Sequence, residues 1–351
     1  MPEYWLISDR NNGGTGTGRN LTSLTYFVSD GTGPLNDIAS WRKVTPTRFR
    51  TLLVEAADAF PELPNADNEN QSHVTFLVHG FNNNFTDATA FYRNLCEKLY
   101  SGPDSLGLCI LYDWPSLGSV AGYLPDREQA RQCADDFAVV LSDLYDWLLK
   151  KQKDAVTASL AAIEGRATNT TPCKAKVSVI AHSMGNYLLQ KALHAAWTRK
   201  NQPQLASLIN QFLMVAADVD NDLFDARAAD NDDGNAISNL TYRITALYSG
   251  RDAVLGASAG LKHFGARRLG RSGLAHRPPR VDSPPATDNV WDVDCSAFFP
   301  ANTGFNIPGL GAVDIHGAYF VHKGTLALMR QILRGVDRRV LENSELIKKN
   351  P

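Results

Sequence analysis

The sequence has no marked excess of charge of either sign: 35 basic against 37 acidic side chains leave a net charge of −2 over 351 residues. A chain without a basic field offers a polyanion little to bind by, so no nucleic-acid partner is expected. Long hydrophobic runs are also missing. No stretch approaches the ~18 apolar residues of a membrane-spanning helix, so no integral membrane segment is expected. The first residues, Met1-Pro-Glu-Tyr-Trp5, do not place a basic stretch before an apolar one as a secretory signal does. Cysteine is sparse. Five residues, at 96, 109, 133, 173 and 295, form no C-x-x-C pair, and an odd, scattered set fits a reduced, cytoplasmic chain better than a disulfide framework. Secretion would require a signal peptide outside this sequence.

What is present is ordinary globular material, 44% apolar and 21% charged. The length is compatible with two domains, yet a single α/β sheet commonly runs past ~250 residues, and no linker or internal repeat divides this chain. The expectation is one α/β domain over residues 1–351, built on a mostly parallel, doubly wound sheet with helices on both faces. Residues 1–72 would supply N-terminal strands and loops. Residues 253–315, in which 14 of 63 positions are Gly or Pro, would form a loop-rich excursion and a partial lid.

Tyr4–Ser8 and Leu24–Val28 read as short strands joined by Asn11-Asn-Gly-Gly-Thr-Gly-Thr-Gly18. No helical pattern follows those glycines, so they read as a loop rather than a phosphate cradle. Residues 31–72 mix a helical or strand-like stretch over Phe49–Ala56 with a polar loop. Beyond them the pattern sharpens. Apolar strand-like runs at Val74–Val78, Leu108–Tyr112, Val177–Ala181, Phe212–Ala217 and Tyr242–Tyr248 alternate with segments of helical periodicity, which argues for a parallel sheet. One more strand is expected near Val290–Cys295, then a final helix carrying Tyr319, Leu326, Met329 and Leu333.

The chemistry centres on Ala181-His-Ser183-Met-Gly185, which lies where a buried strand turns into a helix. In the G-x-S-x-G elbow, small flanking residues permit a sharp turn that exposes the serine Oγ and aims the next N–H at an oxyanion. Here alanine replaces the first glycine. A serine hydroxyl becomes a strong nucleophile only when an imidazole takes its proton and a carboxylate orients that imidazole. Behind a strand-to-helix serine the acid and then the histidine are expected to follow in chain order. Of histidines 194, 263, 276, 316 and 322, His194 and His322 fall in helical patterns and His263 and His276 in an Arg-rich loop. His316, between the last strand and the last helix, is the expected base. Asp252, past a strand in a glycine turn, is the expected acid, and Asp218, one strand earlier, is the alternative. Oxyanion donors would be the N–H groups of Met184 and Phe81, the latter in the His79-Gly80 turn. His79, Gly80, Trp114 and Tyr123 are expected to touch substrate.

No cofactor is implied. Asp218-Val-Asp220-Asn-Asp222 resembles a calcium loop, but Leu223 and Ala229 stand where such a loop needs Gly and Glu, so no metal is expected.

Six motifs arrive in order: His79-Gly-Phe-Asn82; Asp113-Trp-Pro-Ser116 with Tyr123; Ala181-His-Ser-Met-Gly185; Ala216-Ala-Asp-Val-Asp220; Asp252-x-x-Leu255 with Arg268-Leu-Gly270; and His316-x-x-Tyr319-Phe320. Together, over about residues 70–335, they resemble an uncharacterised bacterial branch of the α/β hydrolases. The resemblance implies a serine hydrolase fold with esterase- or lipase-type motifs. It leaves Asp252 and Asp218 both open, since both match. The expected activity is cleavage of a small-molecule carboxylic ester. A non-catalytic binding module, an amidase or an acyltransferase are the alternatives. Oligomeric state is not legible.

Overall fold

The computed structural model describes residues 2–60, 72–119, 122–163, 175–199, 208–275, 289–300 and 304–344. Nine strands form one sheet: β1 (Tyr4–Ser8), β2 (Thr25–Ser29), β3 (Arg42–Val44), β4 (His73–Val78), β5 (Gly107–Asp113), β6 (Lys176–His182), β7 (Ile209–Val215), β8 (Thr241–Tyr248) and β9 (Val290–Asp294). Their spatial order is β3-β2-β1-β5-β4-β6-β7-β8-β9. The pairs from β1–β5 through to β8–β9 are parallel, whereas β1–β2 and β2–β3 are antiparallel. The N-terminal strands thus extend the same sheet rather than forming a separate layer.

The central strands read as continuous apolar runs because both faces are covered. Val74, Phe76 and Val78 of β4 and Val177, Val179 and Ala181 of β6 enter one core cluster, while Leu77 and Ile180 between them enter the other. That alternation is the period-two pleat of a strand. On the first face lie α1 (Pro46–Asp58), α3 (Tyr123–Ile163), α4 (Gly185–Arg199) and α5 (Asn231–Leu240); on the second lie α2 (Phe85–Leu99) and, late in the chain, α9 (Lys323–Arg334). The start of α2 is fixed by a capping box, in which Asn84 accepts from the Asp87 amide and the Asp87 carboxylate accepts from the Asn84 amide.

The structure resolves one open expectation and corrects others. Phe49–Ala56 belongs to helix α1, which opens with Thr45 as cap and Pro46 in its first turn. The 253–315 stretch carries more regular structure than its Gly and Pro content implied: α6 (Ala253–Ala257), a π-helical turn at Ser258–Lys262, α7 (Leu269–Ser272), β9, and a hairpin of β10 (Phe305–Ile307) and β11 (Gly311–Val313). The expected final helix is split into α8 (Ile315–Ala318) and α9, with Tyr319 in the turn between them. A short α10 (Arg338–Glu342) follows. Among the described residues no helix is long and apolar enough to cross a membrane.

Candidate active site

All the parallel strands deliver their C-terminal ends to one edge of the sheet, the edge where α/β folds place their ligands. β6 runs to His182, and the next residue, Ser183, turns with φ at +52°. A left-handed backbone at a residue with a side chain costs about 1–3 kcal/mol and survives only where the surroundings over-determine it. Here they do. The Ser183 amide donates to Val215 O at 3.0 Å, its carbonyl accepts from the Asp218 amide at 3.1 Å, and Asn186 Nδ2 donates to the carbonyls of Ala181 and Ser183 at 2.9 and 3.1 Å. The turn is also tight: a Cβ on Gly185 would lie 2.6 Å from the carbonyl oxygens of both Val78 and His79, and one on Gly80 would lie 2.8 Å from Ser183 Cβ. Both glycines are therefore demanded by close approach.

Of the described histidines among those considered above, His316 is the one that bonds an acid at this edge. It sits in α8, and its Nδ1 is 2.7 Å from Asp252 Oδ2. Asp252 follows β8 and is fully buried; its other oxygen caps α6 by accepting from the Leu255 amide at 2.9 Å. With Nδ1 donating to the carboxylate, Nε2 is left as the basic nitrogen. Burial opposes the charged imidazolium of His316, but the charge and hydrogen bond of Asp252 outweigh it, so its pKa stands above the ordinary 6.5. His182 ties this unit to the elbow: its Nε2 donates to His316 O at 3.0 Å, and its ring lies between Phe91, Phe320 and the His316 ring. Burial, and then the neighbouring His316, push the His182 pKa down to about 3, so it stays neutral. Among the described residues the Ser183 hydroxyl makes no hydrogen bond, so the serine–imidazole contact is open in this structure.

Asp218 is committed elsewhere. Its carboxylate accepts from Tyr123 Oη at 2.6 Å, Ser258 Oγ at 3.0 Å and Arg268 Nε at 2.8 Å, and Arg268 is itself fully buried. Burial raises the Asp218 pKa, but Arg268, the Tyr123 hydrogen bond and Arg127 together more than reverse this and hold it below the usual carboxylate value. The alternative acid is thus an ion-pair partner rather than a partner for His316.

The turn after β4 brings Gly80 against Ser183, with Phe81 the next residue along it. Neither the Phe81 amide nor the Met184 amide donates a hydrogen bond among the described residues. An N–H group that spends no hydrogen bond within the protein is free to donate to a ligand. His79 and Trp114, expected to touch substrate, are instead fully buried and stacked on each other, with ring centroids 5.3 Å apart. Tyr123 is buried too and committed to Asp218, although its ring meets Phe81 edge-on at 5.4 Å.

The remaining histidines do other work. His194 Nδ1, on α4, lies 2.9 Å from Asp233 of α5, and His263 Nε2 lies 2.6 Å from Tyr123 Oη. His322 is not inside a helix but caps α9 by accepting from the Gly324 amide. His276 lies outside the described residues. The acidic loop after β7 is organised by Arg268, which bonds both Asp218 and Asp220. No group of three or more metal-ligating side chains occurs among the described residues. His182 and Asn186, which brace the elbow, were not singled out for a role by sequence; their positions one residue before and three after Ser183 are the only signal they carry.

One solved structure, from a structural analysis of two fungal esterases of Rhizomucor miehei, is 11% identical over 78% of this chain and 77% of that chain, with a TM-score of 0.31, a likeness too weak to carry weight. No curated protein matches the sequence. The family model described as an alpha/beta hydrolase of unknown function, DUF900, matches residues 63–296. That match spans well over half of the chain, and the protein belongs to the DUF900 family of α/β hydrolases.

Proposed function

We propose that the protein is a serine hydrolase that cleaves short- to medium-chain carboxylic esters through an acyl-Ser183 intermediate. The observation that carries this reading is the strained Ser183 turn, set beside the Asp252–His316 pair and two unspent amides. In the first half-reaction Ser183 Oγ loses its proton to His316 Nε2 and attacks the ester carbonyl. The oxyanion is held by the Phe81 and Met184 N–H groups, and the leaving alcohol takes the proton from His316. Water then enters, gives a proton to His316 and releases the acid from Ser183, which regains its proton. Asp252 orients the ring and offsets its charge throughout. Between Asp218 and Thr241 the chain forms only turns and α5, which packs on α4, and this favours an open site for modest-sized esters.

The test is intact-mass spectrometry after exposure to p-nitrophenyl butyrate or an active-site fluorophosphonate. The expected result is one adduct per chain, mapped to the peptide holding Ser183, with turnover that depends on acyl length. A folded protein that neither reacts nor turns over would point to a binding module. Faster release from amides, or transfer to an added alcohol, would redirect the reading to an amidase or an acyltransferase.

The pH dependence has a definite sign. His316 must be neutral to accept the serine proton, and its pKa is raised, so kcat/KM should climb with pH along an acid limb whose midpoint lies above 6.5. A pH–rate profile with its midpoint below 6.5 would count against His316 as the base.

A further inference from the structure

The Gly80 carbonyl is gripped from two sides. His79 Nδ1 approaches it at 2.9 Å and Asn83 Nδ2 at 3.0 Å, and the same Asn83 nitrogen also donates to Phe81 O at 2.9 Å. In a trans peptide the carbonyl and the following N–H point to opposite sides. Holding Gly80 O therefore sets the direction of the Phe81 N–H, on a turn whose Gly80 lies directly against Ser183.

Neither grip is loose. Asn83 is fixed along its own backbone, its amide donating to Ser116 Oγ at 3.3 Å and its carbonyl accepting from Arg10 Nη2 at 2.9 Å. His79 Nε2 lies 3.0 Å from Asp113 Oδ1, and Trp114 Nε1 donates to His79 O at 2.8 Å. The two ring nitrogens of His79 thus face two acceptors, Gly80 O and Asp113 Oδ1, which fix the plane of the ring. Arg10 Nε in turn reaches both Asp113 oxygens at 2.8 Å. Arg10, His79, Asp113 and Trp114 are all fully buried. This buried polar network, assembled from the ends of β1, β4 and β5, reaches the turn at two carbonyls: Gly80 O through His79 and Asn83 O through Arg10.

We propose that Asn83 is a positioning residue for the Phe81 N–H, fixing it as an oxyanion donor by holding the Gly80 carbonyl, with the Arg10–Asp113–His79 chain as its buried support. This rests on the reading of Ser183 as nucleophile. A group that only stabilised the turn would affect folding and substrate binding alike. A group that aims an oxyanion donor acts on the transition state, because the oxyanion does not exist in the bound ester.

The test uses Asn83→Ala and Asn83→Asp in the full chain, both at a half-exposed position, with p-nitrophenyl butyrate as substrate and an alkyl boronic acid as the tetrahedral mimic. Removing an oxyanion donor outright costs about 10²–10³ in kcat, and misaiming one should cost roughly 10–100-fold. The expected result for Asn83→Ala is that loss in kcat, KM within about twofold, a boronate Ki raised by about the same factor as kcat falls, and full fluorophosphonate labelling. Asn83→Asp, which replaces the donor with an acceptor, should lose more. Unchanged kcat, a loss confined to KM, or a lowered Tm with unchanged boronate affinity would each overturn the proposal. Wild-type protein that does not label at all would overturn the Ser183 reading itself, and this inference with it.

Discussion

Asp252→Asn should lower kcat for a p-nitrophenyl ester by roughly 10³–10⁴-fold, the scale seen when the orienting acid of a serine triad becomes an amide. The reasoning is local. Asp252 Oδ2 is 2.7 Å from His316 Nδ1 and holds that nitrogen as the donor. An Asn that turns its NH₂ toward the ring favours the tautomer with the proton on Nε2, which removes the base from the serine side. The same change deletes the charge that lifts the His316 pKa, so any surviving acid limb should move to lower pH. The other oxygen of Asp252 caps α6, and asparagine keeps an oxygen at that place, so Tm should change little. Asp218→Asn should behave in the opposite way. It leaves the fully buried Arg268 with only the partly exposed Asp220 as a counter-charge, and stranding a buried charge costs about 3–5 kcal/mol. The loss should therefore appear in Tm and in the yield of folded protein, with kcat per folded molecule little changed. Ranking the two variants by kcat and by thermal melting decides the acid, and a larger kcat loss in Asp218→Asn would transfer the role to Asp218.

Ser183→Ala should abolish fluorophosphonate labelling and lower ester turnover by roughly 10⁴–10⁶-fold, since a nucleophile acts as a unit with its base and the remaining groups contribute only oxyanion and binding effects. A companion variant separates chemistry from strain. Alanine keeps a Cβ at φ +52°, whereas glycine enters the left-handed region freely. Ser183→Gly should thus be as inactive as Ser183→Ala but more stable than it by about 1 kcal/mol, measured by chemical denaturation. Persistent labelling of either variant would remove Ser183 from the mechanism.

How much of this was legible beforehand depended on whether the information was local. β4, β5 and β6 could be read because strands covered on both faces must be apolar throughout, and α2 because its buried positions recur at helical spacing. The Ser183 turn was legible because a strand, a small-residue turn and a helix are contiguous in sequence. The elements of 253–315 were hidden by their brevity; α6, α7, β10 and β11 are each five residues or fewer, too short to show a period. His322 was misplaced because a histidine at a helix cap gives no Ser, Thr or Asp signal. Sequence kept Asp218 as an alternative to Asp252 because the ion pair that occupies Asp218 is made by Arg268, fifty residues away. Arg10 likewise meets Asp113 across 103 residues, so neither residue announced its support of the turn after β4.

The antiparallel end of the sheet has a bearing on solubility. β3 is an outer strand with unpaired backbone groups along one side, and such edges invite strands from other molecules to add on. This one is only three residues long, and two of the three, Arg42 and Lys43, are exposed cations. Two copies meeting edge to edge would juxtapose like charges over a ladder too short to compensate for them, so this border of the sheet is guarded against self-association by its own composition.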